Sequence, residues 1–371
     1  MTAGAQHGLS FAIHPAADPV AAARRAELIA EPGFGRIFTD HMVTVAWSER
    51  DGWHDAQLRP YGPLTLDPAC QIFHYGQEIF EGLKAYRQAA GPIVTFRPAD
   101  NAARFKNSAR RMVMPELPED AFVQAIELLV TQDRDWVPSE PEHSLYLRPF
   151  MIATHVGLGV NKPSSSYLFV LIASPAGAYF SGGTRPVSVW VADGYIRAAP
   201  GGTGAAKTGG NYAGGMAGQL QALAHGCDQV VWLDAAERRW VEELGGMNLC
   251  FVYGSGASAR LVTPALTGTL LPGVTRDSLL TLAPELGIPA SEGRISVSQW
   301  RDGCESGEIT EVFACGTAAV VNPVGAVKSV SGEWTIGTGE AGPVATLLRE
   351  HLEGIQYGRL PDAHGWMHKI C

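Results

Sequence analysis

The segment Pro200-Gly-Gly-Thr-Gly-Ala-Ala-Lys-Thr-Gly-Gly-Asn-Tyr212 places one lysine, Lys207, among residues with almost no side chains, and a tyrosine follows at position 212. So many glycines dictate a shaped loop rather than the interior of a helix or strand. The loop strips the ammonium of bulky neighbours and lets a planar ligand approach. A lysine amine that loses its proton on desolvation is a nucleophile able to form an imine with a carbonyl. The plainer reading is a glycine-shaped surface turn whose lysine is solvated.

A chain of 371 residues exceeds what one hydrophobic core serves and has interior enough for a buried ligand site. About two domains are therefore expected. Net charge is −9 with no long Lys/Arg run, which argues against a nucleic-acid or anionic-membrane partner and for small molecules. Cys70, Cys227, Cys250, Cys304, Cys315 and Cys371 are scattered without a Cys-x-x-Cys pair, as in a reducing compartment. The longest apolar run, Tyr167 to Ala173, is far below the roughly 20 residues that cross a bilayer. No basic segment followed by an apolar stretch opens the chain, so the expected location is cytoplasmic.

Asp18-Pro19 before Val20 to Ala30 reads as a helix start with a capping carboxylate, in an N-terminal arm over 1–34. Over 35–174, strands at Met42 to Trp47, Ile93 to Arg97, Ser144 to Thr154 and Ser166 to Ser174 mix with helices at Asn101 to Met112 and Glu119 to Arg134. This describes a smaller N-terminal α/β domain. The breaker-rich segment 175–186 is the expected interdomain linker. The larger domain, 187–371, carries strands at Val187 to Val191, Gln229 to Asp234, Trp240 to Leu244 and Met247 to Tyr253, with helices at Ala213 to His225 and Asp277 to Leu286.

Gly202-Thr-Gly-Ala-Ala-Lys-Thr208 approximates a phosphate-cradling P-loop, but Ala206 stands where glycine must precede the lysine, and no strand runs into the loop. Lys207-Thr208-Gly209 matches one element of the penicillin-recognising serine enzymes, whose Ser-x-x-Lys and Ser-Asp-Asn partners are absent from the chain. No His-Glu-x-x-His occurs, and packing is the expected role of His364, His368 and Cys371, so no metal is expected.

Pyridoxal phosphate, the cofactor most often tied to a lysine imine, needs an anion at its pyridine nitrogen, donors for its phosphate and a group beside its ring oxygen. Glu242-Glu243-Leu-Gly-Gly-Met-Asn248 offers a carboxylate at a strand end before a tight turn. Leu271-Pro-Gly-Val-Thr-Arg-Asp277 opens a helix whose first amides, on Val274 and Thr275, form a ready phosphate site. Cys315-Gly-Thr-Ala-Ala319 adds a second small-residue turn with a hydroxyl. Each alone reads equally well as an acidic turn, a capped helix or a plain turn. The ordered set favours the cofactor.

With Phe38-Thr-Asp-His-Met42, Phe73-His-Tyr-Gly-Gln-Glu-Ile-Phe-Glu-Gly-Leu-Lys-Ala-Tyr86 and Ser144-Leu-Tyr-Leu-Arg-Pro149 added, the chain resembles the branched-chain aminotransferases of the bacterial type. These belong to the class IV, fold-type IV pyridoxal-phosphate enzymes. The resemblance implies an α/β, two-domain, D-amino-acid aminotransferase-like architecture and a homodimer. It also implies transfer of the amino group between leucine, isoleucine or valine and 2-oxoglutarate, by a ping-pong mechanism through pyridoxamine phosphate.

It further implies that Lys207 is the Schiff-base lysine and proton shuttle, that Tyr212 binds the ring oxygen and Glu243 the pyridine nitrogen. Arg104, the Val274 and Thr275 amides and Thr317 would hold the phosphate. The implied substrate pocket is Phe38, Tyr75, Phe80, Tyr146, Arg148, Tyr179, Gly246, Met247 and Ala318, with Tyr75, Leu158 and Val160 serving the partner subunit's site. Arg148 would meet glutamate's distal carboxylate.

Gly246 departs from relatives with a hydroxyl residue there, and Gly316-Thr-Ala-Ala-Val-Val321 lacks the cysteine pair of mammalian members. A D-amino-acid transaminase and an aminodeoxychorismate lyase share the fold and stand as alternatives, with a P-loop-like nucleotide-binding protein more remote.

Overall fold

A computed structural model of the chain describes residues 9–89, 91–177 and 185–371. The chain divides into two compact units of similar size, Met1–Tyr179 with Gln356–Cys371, and Phe180–Ile355.

In the first unit a mostly antiparallel sheet runs in the order Ala12–Ile13, Gly52–Pro60, His41–Ser48, Ser166–Ala176, Ser144–Ala153, Leu83–Arg87, Ile93–Phe96 and Met367–Lys369. The helices Pro98–Arg111 and Glu119–Gln132 cover one face, burying Phe105, Phe122, Ile126 and Leu129 against Val43, Leu145, Leu147 and Phe169. Because side chains alternate along a strand, Leu145, Leu147 and Met151 enter this core while Tyr146, Arg148 and Phe150 stand on the opposite face.

Pro149 has no N–H to give the neighbouring strand. Opposite it the pairing breaks between Glu78–Phe80 and Leu83–Arg87, where Glu81 donates its amide to the Pro149 carbonyl at 2.7 Å. That break positions the Phe80-Glu81-Gly82 corner beside Arg148.

In the second unit six strands close on themselves: Val241–Leu244, Gln229–Leu233, Val187–Val191, Val320–Ser329, Ile309–Gly316 and Met247–Tyr253, the last pairing again with the first. The closing hairpin turns on Gly245-Gly246, with Gly245 at φ +55°, a backbone that a side chain would strain. Closure brings Glu243 opposite Asn248. Outside the ring, the helix Gly209–Ala224 packs so closely that a Cβ on Gly218 would lie 2.5 Å from the Trp232 ring.

Three expectations are corrected. Gln356–Cys371 belongs to the first unit rather than the second, because Met367–Lys369 pairs antiparallel with Ile93–Phe96. A strand that short has no readable period. The N-terminal helix is Ala22–Ala30, with Ala21 at its cap and no side-chain cap. Asp18 does not serve there; the Val20 amide is instead taken by Asp40 at 2.8 Å. The helix after Lys207 begins at Gly209, four residues before the expected Ala213, because the Asn211 side chain ties its first turn to Thr203 and Ala206 and offsets the low helix propensity of Gly209 and Gly210.

Candidate active site

Lys207 precedes the helix Gly209–Ala224, whose cap is Thr208. The loop before it is tied from two sides. Asn211, in the first turn of the helix, donates from Nδ2 to the carbonyls of Thr203 (2.8 Å) and Ala206 (2.9 Å), and accepts from Thr203 Oγ1 at 2.7 Å. Gly204 lies against Thr269, where an added Cβ would fall 2.3 Å from the Thr269 carbonyl oxygen. Glycine is needed there by backbone contact. So held, the half-buried Lys207 reaches Tyr212, Nζ donating to the phenol oxygen at 2.8 Å.

Glu243 is 1% exposed and engaged at both oxygens. Oε1 accepts from the Leu271 amide at 2.5 Å and from Asn248 Nδ2 at 3.4 Å, and Oε2 pairs with Arg197 Nε at 2.9 Å. Burial pushes its carboxyl above the usual range, opposed by Arg197, the Leu271 amide and Lys207. Arg197 was not singled out from the sequence. It also donates from Nη1 to the carbonyls of Gly204 (3.2 Å) and Thr269 (2.8 Å), so one buried guanidinium links the lysine loop to the glutamate strand. The signal that could have found it is the need of a buried carboxylate for a cation.

Asn248, opposite Glu243, donates to the Leu271 carbonyl at 3.0 Å, so both arms of the hairpin grip the segment leading into the helix Val274–Glu285. Val274 and Thr275 are the first residues of that helix, where amides lack intrahelical acceptors and attract anions. Thr317 and Ala318 lie in the turn between Ile309–Gly316 and Val320–Ser329. That turn ends at Val320 with φ +59°, a left-handed conformation that a β-branched residue adopts only under constraint. Met247 borders the turn, its Cγ 3.4 Å from where a Gly316 Cβ would stand. Gly246 adjoins Tyr212, and a Cβ there would lie 3.1 Å from the Tyr212 ring.

In the first unit, Tyr146, Arg148 and Phe80 form a cluster. The Arg148 guanidinium carbon sits 5.0 Å from the Phe80 ring centre and 5.4 Å from that of Tyr146, and Nη2 donates to the Tyr146 hydroxyl at 3.2 Å. Arg148 Nε is buried and meets no acceptor among the described residues, and no carboxylate pairs with this arginine there. The Tyr146 hydroxyl fits only because position 82 is glycine, whose Cβ would lie 2.0 Å away. Arg104 makes a forked ion pair with the buried Glu81, Nε–Oε1 at 2.7 Å and Nη2–Oε2 at 2.9 Å, a partner unforeseen in the sequence. Phe38 stands outside this cluster's ring contacts and stacks on Tyr61, with ring centres 5.0 Å apart. Tyr75 donates to the Leu158 carbonyl at 2.5 Å, and Tyr75, Leu158 and Val160 are all exposed. Tyr179 lies outside the described residues.

An amine beside a phenol, a buried acid braced by arginine, and helix-end amides beside a hydroxyl-bearing turn together fit a cofactor with an aldehyde, a ring nitrogen and a phosphate. The family model for amino-transferase class IV matches residues 78–327, and the chain belongs to that family. Pyridoxal 5'-phosphate is its cofactor.

Within the family the chain stands among the branched-chain-amino-acid aminotransferases. It is 60% identical over 360 residues to the probable branched-chain-amino-acid aminotransferase of Streptomyces coelicolor, covering 97% of this chain and 98% of that protein. It is 54% identical over 371 residues to the branched-chain-amino-acid aminotransferase of Mycobacterium tuberculosis, covering both chains fully (100%). Among solved structures, the branched-chain amino acid aminotransferase from Escherichia coli superposes with TM-score 0.70 at 29% identity, over 89% of this chain and 99% of that one. A second branched-chain amino acid aminotransferase, solved with pyridoxamine 5'-phosphate, gives TM-score 0.71 at 29% identity, over 88% of this chain and 98% of that one.

Proposed function

We propose that this aminotransferase exchanges the amino group of leucine, isoleucine or valine with 2-oxoglutarate, with Lys207 as the residue that holds the cofactor and carries the proton. The observation that carries the assignment is the placement of Lys207 Nζ on the Tyr212 hydroxyl while Arg197 anchors the same loop to Glu243. When bound, the cofactor supplies an electron sink for the bonding pair left at the substrate's α carbon.

The residues do the rest. Lys207 accepts the α proton and returns it to the neighbouring carbon. Tyr212 orients the Lys207 amine and donates to the ring oxygen. Glu243, kept anionic by Arg197, holds a proton on the ring nitrogen by an ion pair in a dry setting. The Val274 and Thr275 amides and the Thr317 hydroxyl are the phosphate donors, with Arg104 adding a cation whose plane Glu81 sets.

Arg148 is the proposed receptor for the distal carboxylate of glutamate and 2-oxoglutarate, and Phe80, Tyr146, Phe38, Tyr179, Gly246, Met247 and Ala318 are proposed to line the aliphatic side-chain space. An arginine resting on aromatic faces serves both substrates: it offers a charge to one and flat apolar surface to the other. A homodimer is supported by the exposed apolar group Phe73, Tyr75, Val156, Leu158 and Val160, 43–72% exposed in the single chain. No helix among the described residues is long and apolar enough to cross a membrane. The six free thiols support a reducing, cytoplasmic location.

Borohydride reduction followed by peptide mapping tests the assignment. A pyridoxyl group on Lys207 is expected, and a modified residue anywhere else would overturn it.

A further inference from the structure

The strand that presents Glu243 inward to Arg197 also carries Glu242, which points away from that pair into a separate cavity of about 260 Å³ in the second unit. The volume lies just below the range of roughly 300–1,000 Å³ typical of drug-sized ligand sites, so the occupant is small. Its walls are largely apolar, from Pro200, Val241, Pro264 and Leu270, with the Trp240 ring at one side.

The charges in this cavity are unevenly committed. Asp234 is consumed by the amides of Glu237 (2.7 Å), Arg239 (3.0 Å) and Trp240 (2.8 Å), which fold the turn at the rim. Glu242 is buried, with a relative exposure of 7%. Its Oε1 accepts from Thr269 Oγ1, which in turn lies 2.8 Å from Thr267 Oγ1. Its second oxygen has no hydrogen-bond donor among the described residues. Also lining the cavity, the Arg294 guanidinium stacks 4.1 Å from the Trp240 ring centre and reaches Glu237 only at 3.4 Å, half exposed to solvent.

With one oxygen open to the cavity and only the fields of Arg197 and Arg294 acting on it from a distance, Glu242 is placed to take a cation directly. Facing an apolar wall and an arginine fork, the complementary molecule has an ammonium, a small aliphatic body and a carboxylate. We infer that this cavity is a second amino-acid site, taking a small aliphatic α-amino acid with its ammonium on Glu242, its carboxylate on Arg294 and its side chain against Val241 and Pro264. Its lining excludes Lys207, Tyr212 and Glu243, so binding here and binding at the cofactor are separable.

Equilibrium dialysis of the holoenzyme against radiolabelled isovaline tests this, since its α carbon bears no proton and it cannot be transaminated. Any isovaline on the cofactor is registered separately by the visible spectrum. We expect saturable binding without spectral change, weakened about tenfold or more in Glu242→Gln by loss of a charge-assisted contact. The exposed rim variant Ala236→Trp, which closes the cavity without touching Glu242, should abolish it while leaving transaminase turnover unchanged. Absence of spectrally silent binding in the native enzyme, or its persistence in either variant, overturns the inference.

Discussion

Arg197 Nε and Glu243 Oε2 lie 2.9 Å apart with both side chains under 5% exposed, and the same guanidinium grips Gly204 and Thr269. Removing one partner of such a pair leaves a buried charge, at a typical cost of about 3–5 kcal/mol. Arg197→Met should therefore lose about that much stability in chemical denaturation. It should also weaken cofactor retention, because Glu243, without its opposing cation, is driven further toward the neutral acid. Unchanged denaturation midpoint and cofactor spectrum would show that the pair is inert.

Burial raises the carboxyl of Glu242 above its ordinary 4.5, with Thr269 opposing the shift. A carboxyl held more tightly protonated in the folded chain favours folding at low pH. That contribution is complete below the unfolded value and is lost as pH rises through the raised one. Glu242→Gln, which cannot ionise, should match the native stability below pH 4.5 and exceed it at pH 8. Denaturation curves across that window check it; a native chain that gains on the variant as pH rises would refute the sign.

Arg148 has aromatic faces on two sides and a buried Nε without an acceptor among the described residues. If it receives a distal carboxylate, Arg148→Met should lower kcat/KM for glutamate by about 100-fold and change leucine by no more than a few-fold. Equal losses for both substrates would assign the arginine to structure.

Val113 is 63% exposed and held at φ +55°, a region costly for a β-branched residue. Asparagine tolerates that conformation. Val113→Asn should raise stability by about 0.5–1 kcal/mol, seen as a rise in Tm with turnover unaltered.

Much of the candidate site could be proposed from the sequence because it is drawn from short contiguous motifs. The strands Val187–Val191 and Met247–Tyr253 fall where the pattern put them, and Val274 and Thr275 open a helix within the Leu271 to Asp277 segment as expected, three residues ahead of the Asp277 start that the helix pattern gave. What escaped notice depends on contacts distant in sequence. Arg197 meets Glu243 across 46 positions, and Glu81 meets Arg104 only once a helix folds over the sheet. Neither residue type nor spacing announces such a pair. The closure of the second sheet into a ring was equally silent, being a property of strand pairing rather than of any one strand.

The Met367–Lys369 strand borders Ile93–Phe96, although the whole second unit lies between them in the chain. On the ribosome, the first unit therefore waits with an unprotected β edge until the second unit and Met367–Lys369 have been made. An open edge invites pairing with a neighbouring nascent chain. Chaperone dependence and expression yield should accordingly be governed by Met367–Lys369, a strand that carries none of the proposed chemistry.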